Sequence, residues 1–215
     1  SRGLGDVYKR QVLGVSTSFA AIVMERDQSV DTAPSVNMYR FEVPAELQGT
    51  YNNVGVANLT ASMEKEPNTL SMNVAHVKGN PSESYVVEIY KDLAAIETHR
   101  KSDHYQAFVN EVGSKLTNRK MYDVQSVLLL EKKDALSIVN DGKAVVTLTE
   151  FTVNSNDIDA VQRQYQLDIE RAVRDDAGYK AGYVLRERNA KNRWYVFQVY
   201  SDQAALTLSL IHISE

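Results

Sequence analysis

The sequence contains no cysteine. That excludes a thiol nucleophile, a disulfide frame and thiolate metal sites, while leaving the compartment open. Histidine is scarce, with four in 215 residues, so imidazole chemistry has few places to sit. Positive charge is in deficit: 24 Lys and Arg stand against 28 Asp and Glu, a formal net charge of −4. This balance argues against a nucleic-acid surface. A Gly-rich phosphate loop, a nucleophile elbow and a basic patch are all missing. The apolar stretch Val12 to Met24, VLGVSTSFAAIVM, is too short to span a membrane as a helix.

What is present is a repeat. Ser84 to Ile96, SYVVEIYKDLAAI, returns as Trp194 to Leu206, WYVFQVYSDQAAL, at an offset of 110 positions. The same offset pairs YRFEV (39–43) with TEFTV (149–153) and EKEPNTLSMNV (64–74) with RDDAGYKAGYV (174–184). Two copies of one unit imply two small domains.

In the first copy, alternation over Asn37 to Val43 predicts a strand, and Pro44 ends it. Roughly helical spacing from Leu47 to Glu66 predicts a helix, weakened by Gly49 and Gly55. Thr69 to Val77 and Tyr85 to Tyr90 read as a hairpin turned by Gly79-Asn80-Pro81. Asp92 caps a following helix, as Asp202 does in the second copy. Ser102-Asp103 reads as a second cap, so that helix is expected to break near His99 and restart. Tyr122 to Leu130 reads as one closing strand. In the second copy Asp157 is the expected cap of a helix with Ile158, Val161, Tyr165, Ile169 and Val173 on one face. The order β-α-β-β-α-β is ferredoxin-like, an α+β fold with an antiparallel sheet and both helices on one face. The second copy stops soon after its third strand, so its last helix and strand are expected to be absent or replaced.

The expected organisation is a first domain over 36–131, a polar linker over 132–143 and an incomplete second domain over 144–206. Segments 1–11 and 207–215 hold GLGDVYKRQ and LSLIHISE, which resemble translated adapter sequence and are expected to be non-native. Segment 12–35 reads either as a signal-peptide core with Ser18-Phe19-Ala20 as cleavage site, or as a strand plus linker. The offset favours the strand, because it lays Val12 onward over Tyr122 onward. Both a cytoplasmic and an exported location stay open.

Glu88 to Phe108, EIYKDLAAIETHRKSDHYQAF, carries the pattern E-x-aromatic-x-D-x-x-A-x-x-x-H-x-x-S-x-H-aromatic. This resembles the antibiotic biosynthesis monooxygenase family of dimeric α+β barrels, and within it the small quinol monooxygenases and the phospho-autoinducer-2 isomerase. Glu66-Pro67-Asn68 resembles the family's acidic-Pro-Gly turn, with Asn for Gly. Members pair two copies so that their sheets form a barrel. The resemblance therefore implies an internal pseudo-dimer here, open to further homo-oligomer formation.

It also implies a cofactor-independent monooxygenase acting on a small phenolic or quinol substrate with molecular oxygen. His99, at the family's His, is the candidate base, against a bland reading as a helix C-terminal cap. Glu88, in the apolar strand VVEIY, is the second candidate catalytic group, because an unpaired carboxylate there is costly. It pairs with His99 or another donor, or faces a wet cavity; Gln198 replaces it in the second copy. Tyr90, His104 and Tyr105 are candidate substrate contacts. His76 is expected at the surface. No metal is expected, since His99 and His104 lack an obvious third ligand. An alternative keeps the base and isomerises a small phosphorylated hydroxyketone, with Arg100, Arg119 or Lys120 holding the phosphate. A non-enzymatic ligand-binding or stress-response barrel with a closed pocket is the third reading.

Overall fold

A computed structural model describes residues 10–18, 34–132 and 143–213, with the backbone alone for 10–18 and 211–213. Residues 19–33, with most of the segment read as a cleavage site, and most of the 132–143 linker lie outside the described residues.

The first copy runs β2 (Ser35–Glu42), α1 (Gln48–Lys65), β3 (Thr69–Val77), β4 (Asn80–Tyr90), α2 (Leu93–Lys101), α3 (Asp103–Glu111) and β5 (Thr117–Tyr122). After Asp123 comes β6 (Val124–Glu131). The second copy runs β7 (Val145–Thr152), α4 (Ile158–Asp175), β8 (Tyr179–Glu187), β9 (Arg193–Tyr200) and α5 (Gln203–Ile213). Ahead of both stands β1 (Arg10–Ser18). The third strand begins five residues before the expected Tyr85, because the hairpin pairing extends to the turn itself.

The described strands form one antiparallel sheet in the order β5-β2-β4-β3-β1-β7-β9-β8-β6. The repeat is kept in the register: Ser35 pairs with Tyr90 in the first copy, and Val145 with Tyr200 in the second. The expected single closing strand is two. β5 pairs with β2 of its own copy, whereas β6 crosses to β8 of the other. The corner between them is Asp123, held by Arg188 Nε at 3.3 Å and by Asn189 Nδ2 at 3.1 Å. The strands at the two ends of the sheet are thus consecutive in the chain, and the sheet closes into a barrel within one chain.

β1 stands between the two copies, at the positions that the offset equates with β5 and β6. Val12 pairs with Leu148, the image of Tyr122 with Met38, and Gly14 pairs with Val77, the image of Val124 with Glu187. A single N-terminal strand thus bridges β7 and β3 as β5 and β6 together bridge β2 and β8.

One sheet face is apolar and turned into the barrel. Met38, Tyr85, Val87 and Ile89 from the first copy meet Leu148, Tyr195, Phe197 and Val199 from the second in one cluster. Burying each such side chain is worth about 1.5–3 kcal/mol, so the two copies are held as one unit. A buried polar chain crosses the seam: Asn73 Nδ2 donates to Ser71 Oγ at 3.1 Å, Ser71 lies 3.0 Å from the Tyr183 hydroxyl, and that hydroxyl donates to Glu131. The helices pack on the outer face. Asp92 and Asp202 cap as expected, accepting from Ala95 N at 2.9 Å and Ala205 N at 2.8 Å. Asp157 holds the N-cap position of α4 without making a side-chain cap bond. Among the described residues no helix is long and apolar enough to cross a membrane.

Candidate functional site

Alternation along β2 and β4 turns Asn37, Tyr39 and Phe41, and Val86, Glu88 and Tyr90, toward the helices. There they line a cavity of about 410 Å³ between the sheet and α1, α2 and α3. The helix above it has an unusual inner face. Two of the four buried residues of α1, Asn58 and Ser62, are polar, whereas the equivalent α4 lays an aliphatic and aromatic stripe on its sheet. Gly55 on α1 faces open space, with nothing within 4 Å of the position a Cβ would take.

His99 lies in this wall, 2% exposed. Its Nδ1 is 3.2 Å from both carboxylate oxygens of Glu66 and 3.3 Å from Ser62 Oγ, whose own proton goes to Asn58 O at 2.7 Å. Glu66 also accepts from Thr69 Oγ1 and from His104 Nε2, the latter at 2.7 Å. Burial pulls the Glu66 carboxyl upward, but the Thr69 hydrogen bond, the interaction with His99 and the hydrogen bonds from both histidines outweigh it. The net displacement is below the usual carboxylate range. An ionised carboxylate only accepts, so His99 Nδ1 must carry a proton, and the neutral ring then has its lone pair on Nε2. That atom is buried and has no hydrogen-bond partner among the described residues; the same holds for Asn58 Oδ1 in the same wall. The Tyr105 ring stands edge-on at 4.8 Å and Tyr90 at 5.7 Å.

Glu88 pairs with donors other than His99. It does not hydrogen-bond His99; its Oε2 accepts from Asn37 Nδ2 at 3.2 Å and from the Tyr90 hydroxyl at 3.0 Å, in the cavity wall. Burial raises its pKa, and the nearby positive charges and hydrogen bonds only partly offset this. Burial and then the Glu88 charge push the Tyr39 phenol up to about 12, despite the Arg100 guanidinium beside it. The same two causes hold Tyr90 far above the ordinary phenol range, so it stays a neutral donor.

Of the residues singled out from sequence, His99, Glu88, Tyr90 and Tyr105 line the cavity, as do Arg100, Arg119 and Lys120. His104 stands behind His99, on the far side of Glu66. His76 is half-buried rather than at the surface, between Asn52 Oδ1 at 3.0 Å and Pro81 O at 3.1 Å, with Tyr51 edge-on to its ring. In the sequence Glu66 is legible only as part of a turn. It supplies the third group that had seemed missing beside the two histidines, and the three ligand-type atoms lie within 4.8 Å of one another. Hydrogen bonding accounts for that approach, since the carboxylate accepts from both rings. Asn37 was legible only as a polar residue at an inward position of its strand.

In the second copy the corresponding space is filled. Tyr165 stands where the first copy has Gly55 and stacks on Phe151 at 5.3 Å. Tyr179 replaces Thr69 and donates to Gln198 Oε1 at 3.0 Å. Gly182 is required there: a Cβ would stand 2.2 Å from the Tyr179 hydroxyl and 2.8 Å from Ile169 Cγ2. Ser209 occupies the position equivalent to His99.

Comparison with known proteins bears on the first copy and on the whole fold. The family model for antibiotic biosynthesis monooxygenase matches residues 34–111. The structure is similar to a candidate monooxygenase from Lactobacillus acidophilus NCFM, with a TM-score of 0.75 and 17% identity over 83% of this chain and 81% of that one. It is likewise similar to a candidate monooxygenase from Fusobacterium nucleatum subsp. nucleatum ATCC 25586, with a TM-score of 0.73 and 22% identity over 83% of this chain and 80% of that one. At such identities the likeness speaks for the fold. No curated protein matches the sequence.

Proposed function

We propose that the antibiotic biosynthesis monooxygenase domain at residues 34–111 works as a cofactor-independent monooxygenase on a small phenolic or quinol substrate, with His99 as the base. One observation carries this reading: Glu66 holds Nδ1 of His99 while Nε2, unpartnered, lies in a ring lining a largely apolar cavity. Nε2 takes the proton of a bound hydroxyl, and the substrate anion supplies the electrons that reduce oxygen. For a quinol the balance closes with one oxygen atom entering the ring and the other leaving as water, the product being a hydroxyquinone. Glu88, Asn37 and Tyr90 form the polar end that orients the ring. Glu66 is a positioning residue, and His104 and Thr69 keep it ionised.

The test is oxygen uptake with 2-methyl-1,4-naphthalenediol. His99→Ala is expected to lower kcat/KM by on the order of a hundredfold or more. An unchanged rate overturns the assignment. Glu66→Gln is expected to lower kcat more than it changes KM and to alter the pH profile, as loss of tautomer control requires. The isomerase reading draws on Arg100, Arg119 and Lys120 in the cavity wall; turnover without oxygen would favour it. A barrel with a closed pocket describes the second copy rather than the first.

A further inference from the structure

The cavity has a charge pattern that its chemistry alone does not require. Its single carboxylate, Glu88, lies at the polar end, and burial favours its neutral form. Two arginines, Arg100 and Arg119, line the same cavity in a chain where acids outnumber bases. Arg100 is exposed and shares Glu97 at 3.2 Å, and its guanidinium reaches the Tyr39 hydroxyl. Both Arg100 and Arg119 act on the Tyr105 hydroxyl. Among the described residues Arg119 has no carboxylate partner, whereas Lys120 turns its Nζ to the Tyr122 ring, 4.1 Å from the centroid, on the sheet face opposite the cavity. Position 210, equivalent to Arg100 in the filled copy, is Leu. Much of the rest of the wall is apolar or aromatic: Phe41, Tyr51, Leu59, Val74, Phe108 and Leu116.

We infer that the ligand of this site is an amphipathic anion: a planar aromatic body bearing a carboxylate, with the ring against the apolar wall, a hydroxyl toward Glu88 and His99, and the carboxylate at Arg100 and Arg119. This deepens the proposed function and rests on the same cavity, but it concerns binding and not turnover. The apolar wall weighs against a sugar-like phosphorylated ketone, whose hydroxyls would lose water without gaining partners. A neutral quinol fits the same wall and leaves the arginines without a partner, so an added carboxylate should tighten binding. Guanidinium groups suit a carboxylate because their paired donors match its two oxygens.

The test is an anaerobic titration of the full chain with 1-hydroxy-2-naphthoate, its methyl ester and dihydroxyacetone phosphate. The acid is expected to bind about tenfold or more tightly than the ester, as charge-assisted hydrogen bonds imply, with an affinity that falls as salt is added. In the variant Arg100→Gln/Arg119→Gln the acid should fall to the ester's affinity while the ester is unchanged, which also reports that the variant is folded. His99→Ala should keep the preference for the acid, so that loss of the oxygenase reading and loss of this one are separable. Equal affinities for acid and ester, a preference surviving in the double variant, or tighter binding of dihydroxyacetone phosphate would each overturn the proposal.

Discussion

Glu66 and Glu88 are carboxylates in one half of the molecule whose pKa values are displaced in opposite directions, so they give stability opposite dependences on pH. Glu66 titrates below its ordinary value when folded, so its contribution is present above the unfolded pKa and is lost as pH falls through the folded one. Glu88 titrates above its ordinary value; the fold prefers its neutral form, and stability is lost as pH rises from the unfolded pKa through the folded one. Both donors to Glu88 reach the same oxygen, Oε2, so the one carbonyl of a glutamine can serve them, as Gln198 serves Tyr179. Glu88→Gln is therefore expected to raise the melting temperature at pH 7, with the advantage vanishing below about pH 4, near the ordinary glutamate value. Glu66→Gln is expected to cost about 1–3 kcal/mol at pH 7, because buried ring donors lose a charged acceptor, with the cost shrinking in acid. Paired denaturation curves across pH read both signs.

The elements follow from local sequence to a large degree, and the places where they do not have physical causes. The caps Asp92, Asp202 and Ser102 stand where a short polar side chain precedes an apolar period, and each accepts a first-turn amide. The break between α2 and α3 was legible in Ser102-Asp103. It falls at Ser102, three residues past the expected His99, because both the amide and the hydroxyl of Ser102 bond back to His99 O. The division of Tyr122 to Leu130 at Asp123 was not legible, since an apolar run does not say which copy's sheet it joins. Nor was the pairing of His99 with Glu66, which lie 33 positions apart and meet only once α1 and α2 pack on the same face. Gly55, which weakened the helix expectation, is tolerated mid-helix and opens the cavity. Gly55→Ala is expected to stabilise the protein by about 0.5–1 kcal/mol, since its methyl meets nothing and helix entropy improves. Asp92→Ala is expected to cost about 1 kcal/mol in thermal or urea unfolding.

At the scale of the whole molecule the two copies share a barrel and divide its tasks. The shared interior keeps the large residues of both sheets, while the outer faces differ: in one copy the helix leaves space over its sheet, and in the other Tyr165 of α4 and Tyr179 of β8 fill it. That the chain repeats was legible at once, and so was the loss of charge from Glu88 to Gln198. The exchange of Gly55 for Tyr165 was present in the sequence too, but it gains meaning only when both are seen to face the same sheet positions. The account therefore requires one functional site per chain, in the first copy, opened by a glycine. Calorimetric titration with 1-hydroxy-2-naphthoate, run on the unaltered chain and on Gly55→Tyr, tests this most directly. The expected result is one ligand per chain and no binding to Gly55→Tyr, whose melting curve stays cooperative as the second copy's own tyrosine implies. Two ligands per chain, or undiminished binding to a folded Gly55→Tyr, would contradict it.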